Sequence, residues 1–288
     1  AQDSRKPRVV TAPLAEDLTR RDFTVNAMAV PVALFAKAKL PSAALIKKNL
    51  IDPCNGLKDL AAKTLRTPLA PAETFSDDPL RMLRAVRFAA GLGFTIEPQA
   101  LEAIFKTHER LKIVSAERIQ EELFKLLATR EPSVGLILMF QTRLLDTILP
   151  EVAALDGVEE IFGHQHKNNL VHTFKVVDNI AGESSSVPLR LAGLLHDIGK
   201  PGTKKFVTKV GWTFHGHEHL GKKMIYAIAK RLKFSKDLTQ YLAKLIRWHL
   251  QPIALMDEGI TDSAVRRLVV TMGERLQDLL ILGRGDIT

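Results

Sequence analysis

Two sets of side chains in this sequence carry recognisable chemistry. The first is Asp78, Arg81, Arg84 and Arg87, recurring every three residues within SDDPLRMLRAVRFAAGLGF (76–94). On a helix, that spacing lines one side of the rod. A carboxylate and a guanidinium one turn apart can read a nucleobase. The carboxylate accepts from an exocyclic amino group, and the guanidinium donates to ring nitrogens and carbonyl oxygens. Cytosine and adenine offer an amino donor beside a ring acceptor; uracil and guanine do not. A surface helix with an i,i+3 ion pair accounts for the same residues equally well. The second set is His172, the adjacent His196-Asp197, His217, His249 and Asp286. A lone buried histidine is ordinary core. A His-Asp pair after Leu194-Leu195, with another histidine one long helix upstream, points instead to a metal site. Imidazole nitrogen with carboxylate oxygen suits Mn²⁺, Fe²⁺, Co²⁺, Ni²⁺ or Zn²⁺, and a water completing the shell becomes a nucleophile.

Helices must position both sets. Asp78 is a good N-cap, Pro79 fits a first helical turn, and Gly91-Leu92-Gly93 closes the segment. Leu80, Leu83, Val86 and Ala90 then share a buried face. Glu97-Pro98 opens a helix carrying Leu101, Ile104 and Phe105, and a second follows Ser115 with Ile119, Leu123, Leu126 and Leu127 on one face. Residues 132–150 read as an apolar helical pair. Phe23, Val25, Ala27 and Ala29 alternate like a half-buried strand, and 61–70 as a helix end and a short strand. Residues 204–221 read as a hairpin turning at Lys209–Gly211, with His215 and His219 near the histidine set. Lys200 and Lys204 stand beside that set and could hold phosphate.

Composition narrows the class. The chain has 288 residues, 46% hydrophobic and 25% charged, enough for two or more domains. A net charge of +9 points to a polyanionic partner. The single cysteine, Cys54, rules out an internal disulfide framework and suits a reducing cytoplasm. No run of about eighteen apolar residues is present, so no membrane partner is expected.

Several motifs carry a resemblance. DDPLRMLRAVRF (77–88) resembles the signature of class II tRNA nucleotidyltransferases, the CCA-adding enzymes and bacterial poly(A) polymerases, with Asp77 where Glu is more usual. RRDFTVNA (20–27) is similar to a second motif of that family. LIDPCNGLKDL (50–60) is similar to a third, with Asn55 in place of a glycine, a substitution that left-handed dihedrals tolerate. The resemblance implies that Asp78 and Arg81 pair with incoming CTP or ATP. It also implies that Arg20, Arg21, Asp22 and Asn26 help hold sugar and triphosphate, and that Asp77, Arg84, Arg87 and Arg118 belong to the same nucleotide site. In VSAERIQEELFKLL (114–127), Arg118 and Glu122 would brace the nucleotide-binding turn. The H…HD…D pattern resembles the HD phosphohydrolase superfamily, implying His172, His196, Asp197 and Asp286 as metal ligands, with His217 and His249 as candidates for a second ion.

The implied fold is mainly α, with a small α/β remnant of a nucleotidyltransferase head (1–70), a helical neck (71–155) and an α-helical HD domain (156–288). The implied partners are tRNA, CTP and ATP, with Mg²⁺ serving transfer. CCA, CC-only and A-only addition share the template helix and stay open. So do a free-standing HD phosphohydrolase and a non-catalytic RNA- and nucleotide-binding module. The family's Gly-rich turn and D-x-D pair do not occur before Arg20, and the last helix stops soon after Asp286, so both ends are expected to continue in a longer protein. Without those carboxylates nothing offsets charge developing on a triphosphate. This chain alone is therefore expected to add no radiolabelled CTP to tRNA lacking its CCA end; robust incorporation would overturn that expectation.

Overall fold

The computed structural model describes residues 11–36, 40–161, 164–165, 168–256 and 261–287. Of the expected head remnant (1–70), residues 1–10 and 37–39 therefore fall outside the described residues. The architecture is mainly helical, as expected. The first elements are short: α1 (Leu14–Thr19), α2 (Ala43–Lys48), α3 (Gly56–Ala61), β1 (Thr64–Leu65) and α4 (Pro71–Asp77). A helical array follows: α5 (Leu80–Leu92), β2 (Thr95–Ile96), α6 (Pro98–Thr107), α7 (Ala116–Leu127), α8 (Pro132–Gln141), α9 (Leu144–Ile148) and α10 (Pro150–Ala153). After β3 (Glu160–Ile161) and β4 (His164–Gln165) come α11 (Asn169–Glu183), α12 (Val187–Leu195) and α13 (Lys200–Thr203). The hairpin β5 (Lys205–Val207) and β6 (Gly211–Thr213) leads into α14 (His217–Leu232) and α15 (Lys236–Trp248). The last helices are α16 (Gln251–Ala254), α17 (Asp262–Met272) and α18 (Leu276–Ile287).

Strand pairing is minimal. β1 and β2 run parallel, with Thr64 opposite Thr95 and Leu65 opposite Ile96, so they pin the end of α5 to the N-terminal segment. β5 and β6 are antiparallel, with Phe206 opposite Trp212, and the turn uses left-handed Lys209 and Gly211 as anticipated.

One expected strand is absent. Phe23 to Ala29 does not alternate along a strand; Thr24–Asn26 is a 3-10 turn, and Ala29 makes only a single bridge to Ile51. The cause is Asp22, whose Oδ1 accepts from the Phe23 amide at 2.9 Å and the Asn26 side-chain amide at 3.2 Å, curling the backbone. Phe23 and Ala27, four residues apart, are then the fully buried pair. The 50–60 motif behaves as anticipated. Asn55 adopts φ 57°, ψ 34°, and a Cβ at Gly56 would lie 2.1 Å from the Thr24 carbonyl oxygen, so only glycine lets α3 pack on that turn.

The core is a single apolar cluster running from Phe23 to Leu282. Leu80, Leu83 and Val86 are buried on α5 as expected, joined by Met82, Ala85 and Ala89; Ala90 is only half-buried. Ile104 is buried, whereas Phe105 is exposed, because the covered face of α6 runs through Ala100 and Ile104 instead. α7 buries the expected Ile119, Leu123, Leu126 and Leu127. Between the early and late helices, Phe124 and Phe234 stack at 5.9 Å, and Arg231 of α14 makes a two-pronged ion pair with Glu151 of α10 at 2.6–2.8 Å.

Candidate functional site

The motif residues converge where α5 crosses the N-terminal turn and α7. Asp22 is buried, and its Oδ2 accepts from Arg84 Nε at 2.8 Å and Nη2 at 2.7 Å. Arg84 Nη1 also faces Glu122 at 3.9 Å, and Arg87 Nε donates to Glu122 Oε2 at 2.6 Å. Asp22, Arg84, Glu122 and Arg87 thus form an alternating chain of charges linking three elements. Glu122 is 4% exposed, so its charge needs both guanidiniums. The Arg87 guanidinium also lies 4.0 Å over the Phe88 ring. Asn26 reaches the site through its bond to Asp22.

The junction of α4 and α5 departs from the sequence reading. Asp78 is not on the helix with the arginines; it ends α4 in an extended conformation, and α5 begins at Leu80. Its Oδ1 still accepts from the Leu80 amide at 3.1 Å, the bond expected of a cap. The i,i+3 pair between Asp78 and Arg81 does not form. Asp78 pairs instead with Arg118 of α7 at 2.8 Å, while Arg81 donates to the backbone carbonyls of Arg20, at 2.6 Å, and Thr74, at 3.3 Å. The α4–α5 turn pulls Asp78 off the rod, so helical periodicity does not apply to it. Asp77, Arg20 and Arg21 are exposed around this turn, Arg21 making only a loose 3.4 Å contact with Asp17. Asp78, Arg81 and Arg118 together form a polar, part-exposed mouth above a buried ionic floor.

The histidine set assembles in full. His172 comes from α11, His196 and Asp197 from the end of α12, His217 from the first turn of α14, His249 from the end of α15 and Asp286 from α18. His172 Nε2 lies 2.8 Å from Asp286 Oδ1; His196 Nε2 lies 3.2 Å from Asp197 Oδ2 and 3.3 Å from Asp286 Oδ1. His217 Nε2 is 3.4 Å from Asp197 Oδ1 and 3.2 Å from His249 Nε2. The donor atoms fall into two groups, His172, His196 and Asp197 on one side and Asp197, His217 and His249 on the other. Asp197 belongs to both.

Three histidines are oriented alike. Nδ1 of His196, His217 and His249 faces the carbonyl of Gly193, Phe214 and Ile246, three residues back in each case, at 2.7–2.8 Å. A carbonyl only accepts, so each Nδ1 carries a proton, which leaves Nε2 as the atom that presents a lone pair whenever the ring is neutral. This is the outer-shell arrangement that fixes metal-bound imidazoles. His196 Nε2 is buried without a well-aligned hydrogen bond. Two proton-free Nε2 atoms 3.2 Å apart repel unless a cation or proton stands between them. The residues therefore fit a divalent ion.

Charge is already strained toward that end. Burial opposes a charged His196, yet Asp197 and Asp286 outweigh it and raise its pKa to about 10. Burial and the neighbouring His196 push His249 down to about 4. Burial alone would raise Asp197 and Asp286, but the facing histidines hold both carboxyls below the usual range. Lys200 pairs with Asp197 as its position suggested, whereas Lys204 pairs with Glu159 at 2.9 Å. His215 and His219 are exposed and join neither donor group. Gly199 is what lets the loop approach, because a Cβ there would sit 2.1 Å from the His217 carbonyl oxygen. The orienting carbonyls were invisible in sequence, since any residue supplies one.

Three family models match successive parts of the chain. A family model described as the poly A polymerase head domain matches residues 1–66, one described as the probable RNA and SrmB-binding site of polymerase A matches 93–155, and the HD domain matches 169–278. The multifunctional CCA protein of Pseudomonas fluorescens is 38% identical over 239 residues, covering 81% of this chain and 53% of the relative. The A-adding tRNA nucleotidyltransferase of Deinococcus radiodurans is 32% identical over 281 residues, covering 95% and 60%. The chain thus spans little more than half the length of these curated relatives. Among solved structures, the Bacillus stearothermophilus CCA-adding enzyme in complex with CTP shares the fold with a TM-score of 0.63 at 23% identity, covering 96% of this chain and 56% of that one. These matches define a poly(A) polymerase-type head and RNA-binding region joined to an HD domain. The chain thus carries segments of the poly A polymerase head, its RNA-binding region and an HD domain, and is similar to proteins named as multifunctional CCA proteins and A-adding tRNA nucleotidyltransferases. Domains of these kinds use divalent metal ions. Asp286 lies beyond the HD match, and the packing of α18 on α11 and α12 brings it to the histidines.

The ionic chain predicts an asymmetry in stability. Glu122→Gln strands the Arg87 guanidinium, while Arg84 keeps Asp22, so it should cost about 2–3 kcal/mol, below the full buried-pair range because Arg87 is part-exposed. Lys125→Ala removes an exposed pair with Glu121 and a looser contact to Glu122, and should cost less than about 1 kcal/mol. Urea unfolding of both variants decides; equal costs would mean that Glu122 is not the joint.

Proposed function

We propose that this chain provides the nucleotide-selecting and RNA-binding part of a tRNA nucleotidyltransferase, which adds C and A to a tRNA 3′ end without a nucleic-acid template. The observation that carries the reading is the ionic chain from Asp22 through Arg84 and Glu122 to Arg87. It gathers the RRDFTVNA segment, the template helix and the neck helix at one place. Asp78 and Arg81 form the mouth and select the base of CTP or ATP. Arg118 and Asp77 set the electrostatics of the turn, and Arg20 and Arg21 face the triphosphate. Asp22, Asn26, Arg84 and Arg87 act beneath as a frame. In transfer, the tRNA 3′ hydroxyl attacks the α-phosphate and pyrophosphate leaves, with Mg²⁺ supplying charge stabilisation. The +9 net charge supports an RNA partner, and a cytoplasmic setting fits a chain with one cysteine. Among the described residues no helix is long and apolar enough to cross a membrane.

Base selection is tested in a full-length protein carrying this chain. Asp78→Ala should weaken selection of CTP over UTP, and Arg81→Ala should weaken it further. Each lost base contact is worth about 1–3 kcal/mol, or roughly ten- to hundred-fold in kcat/KM. An unchanged CTP-to-UTP ratio together with lowered thermal stability would make the turn scaffold only.

The histidine cluster supports a second activity, metal-dependent phosphohydrolysis. His172, His196, Asp197 and Asp286 would hold one Mn²⁺, Ni²⁺, Co²⁺, Fe²⁺ or Zn²⁺ ion, and Asp197 with His217 and His249 a second. The ion supplies an activated water for attack at phosphorus. Lys200, held beside Asp197, is placed to meet the phosphate. Protein purified without chelator should carry near-stoichiometric metal that Asp197→Ala loses, and with Ni²⁺ or Mn²⁺ should release phosphate from p-nitrophenyl phosphate or open 2′,3′-cyclic substrates to the phosphomonoester. Equally little metal in wild type and variant would mark the cluster as structural.

A further inference from the structure

Where α7 turns into α8 the chain reverses over residues 128–131, leaving carbonyls at one helix end and amides at the next start without helical partners. Side chains from the histidine-bearing half fill both. Arg190 of α12 is 6% exposed, and its Nη1 donates to the carbonyls of Leu127 at 2.7 Å and Thr129 at 2.8 Å. Its Nε and Nη2 donate to the Ser184 carbonyl at 3.0 and 2.9 Å, and Nη2 also to Ala181 at 3.3 Å, which closes the end of α11. Among the described residues Arg190 makes no direct ion pair, so the carbonyl ends of two helices solvate this buried cation. Asp178 of α11 supplies the opposite charge one step away, accepting from the Ser133 amide at 3.0 Å in the first turn of α8. Both signs match the helix dipoles they face. Only a guanidinium has enough fixed donors for this set of carbonyls.

The clamped turn leads directly to the nucleotide side. α7 carries Glu122 little more than one turn before Leu127, and Glu122 holds Arg87 and faces Arg84. In the other direction α11 carries His172, and α12 runs into His196 and Asp197. We propose that Arg190 and Asp178 are positioning residues, through which the HD half holds the α7–α8 turn and thereby sets the carboxylate that aims Arg84 and Arg87. The functional consequence rests on the nucleotide-site reading above, but the mechanical claim does not.

Amide hydrogen exchange of the whole chain, without nucleotide, tests it. In Arg190→Ala, exchange in α7 and α5 should quicken about tenfold or more, because several buried carbonyls lose their donor. Exchange in α14 and α15 should stay at the wild-type rate. Millimolar methylguanidinium should restore the slow rates and methylammonium should not. Asp178→Asn, a milder change, should quicken the first turn of α8 and the end of α7, and it carries the test if Arg190→Ala does not fold. Uniform quickening across all helices, or unchanged rates in α5 and α7, would overturn the proposal. Failure of the nucleotide reading shows separately, in the CTP-to-UTP ratio.

Discussion

The ionic chain Asp22–Arg84–Glu122–Arg87 is the constraint around which the first half of this protein is arranged. Each carboxylate is buried, and a buried carboxylate without a partner costs several kcal/mol. Asp22 must therefore stay on Arg84, which fixes the 3-10 turn of Thr24–Asn26 against α5. Glu122 must stay between Arg84 and Arg87, which fixes the roll of α7 on the same helix. Apolar packing alone would let three smooth surfaces slide. The charges remove that freedom, because neighbouring registers would strand one of them.

The second half solves a related problem with neutral donors. Its histidines come from helices far apart in sequence, yet three of the four rings are set by a local device, the carbonyl three residues earlier. Orientation is thus decided by backbone geometry at a helix end, and tertiary packing has only to bring the ends together. Gly199 permits that final approach, since any side chain would push the loop off the first turn of α14.

How much of this was legible follows from what sequence encodes well. Residue type and helical spacing carried the buried faces of α5 and α7, the left-handed Asn55 and the hairpin at Lys209–Gly211, because each depends on local propensity. The histidine set was legible as a set because few other roles need that combination of donors. Three things were not legible. The strand expected at Phe23–Ala29 failed because one side chain, Asp22, outbid an alternating pattern too short to enforce pairing. The place of Asp78 failed because a turn between two helices breaks the period on which its stripe was counted. The roles of Arg190 and the orienting carbonyls were invisible, since a buried arginine and a peptide oxygen have no signature until the partner helices are in place.

The two halves differ in what completes them. In the nucleotide half every buried charge meets a permanent opposite charge, for guanidiniums do not titrate in the working range and the carboxylates are already paired. Its floor is therefore fixed by its own pairs, beneath the part-exposed mouth of Asp78, Arg81 and Arg118. The histidine half is unfinished by the same standard. Two Nε2 atoms face each other at 3.2 Å, a third is buried without an aligned bond, and a shared carboxylate lies between them. Lone pairs of neutral rings repel at that distance, an imbalance that a proton or a divalent ion between them would relieve. One half thus closes its buried charges among its own residues, whereas the other gathers a donor set that fits a divalent ion.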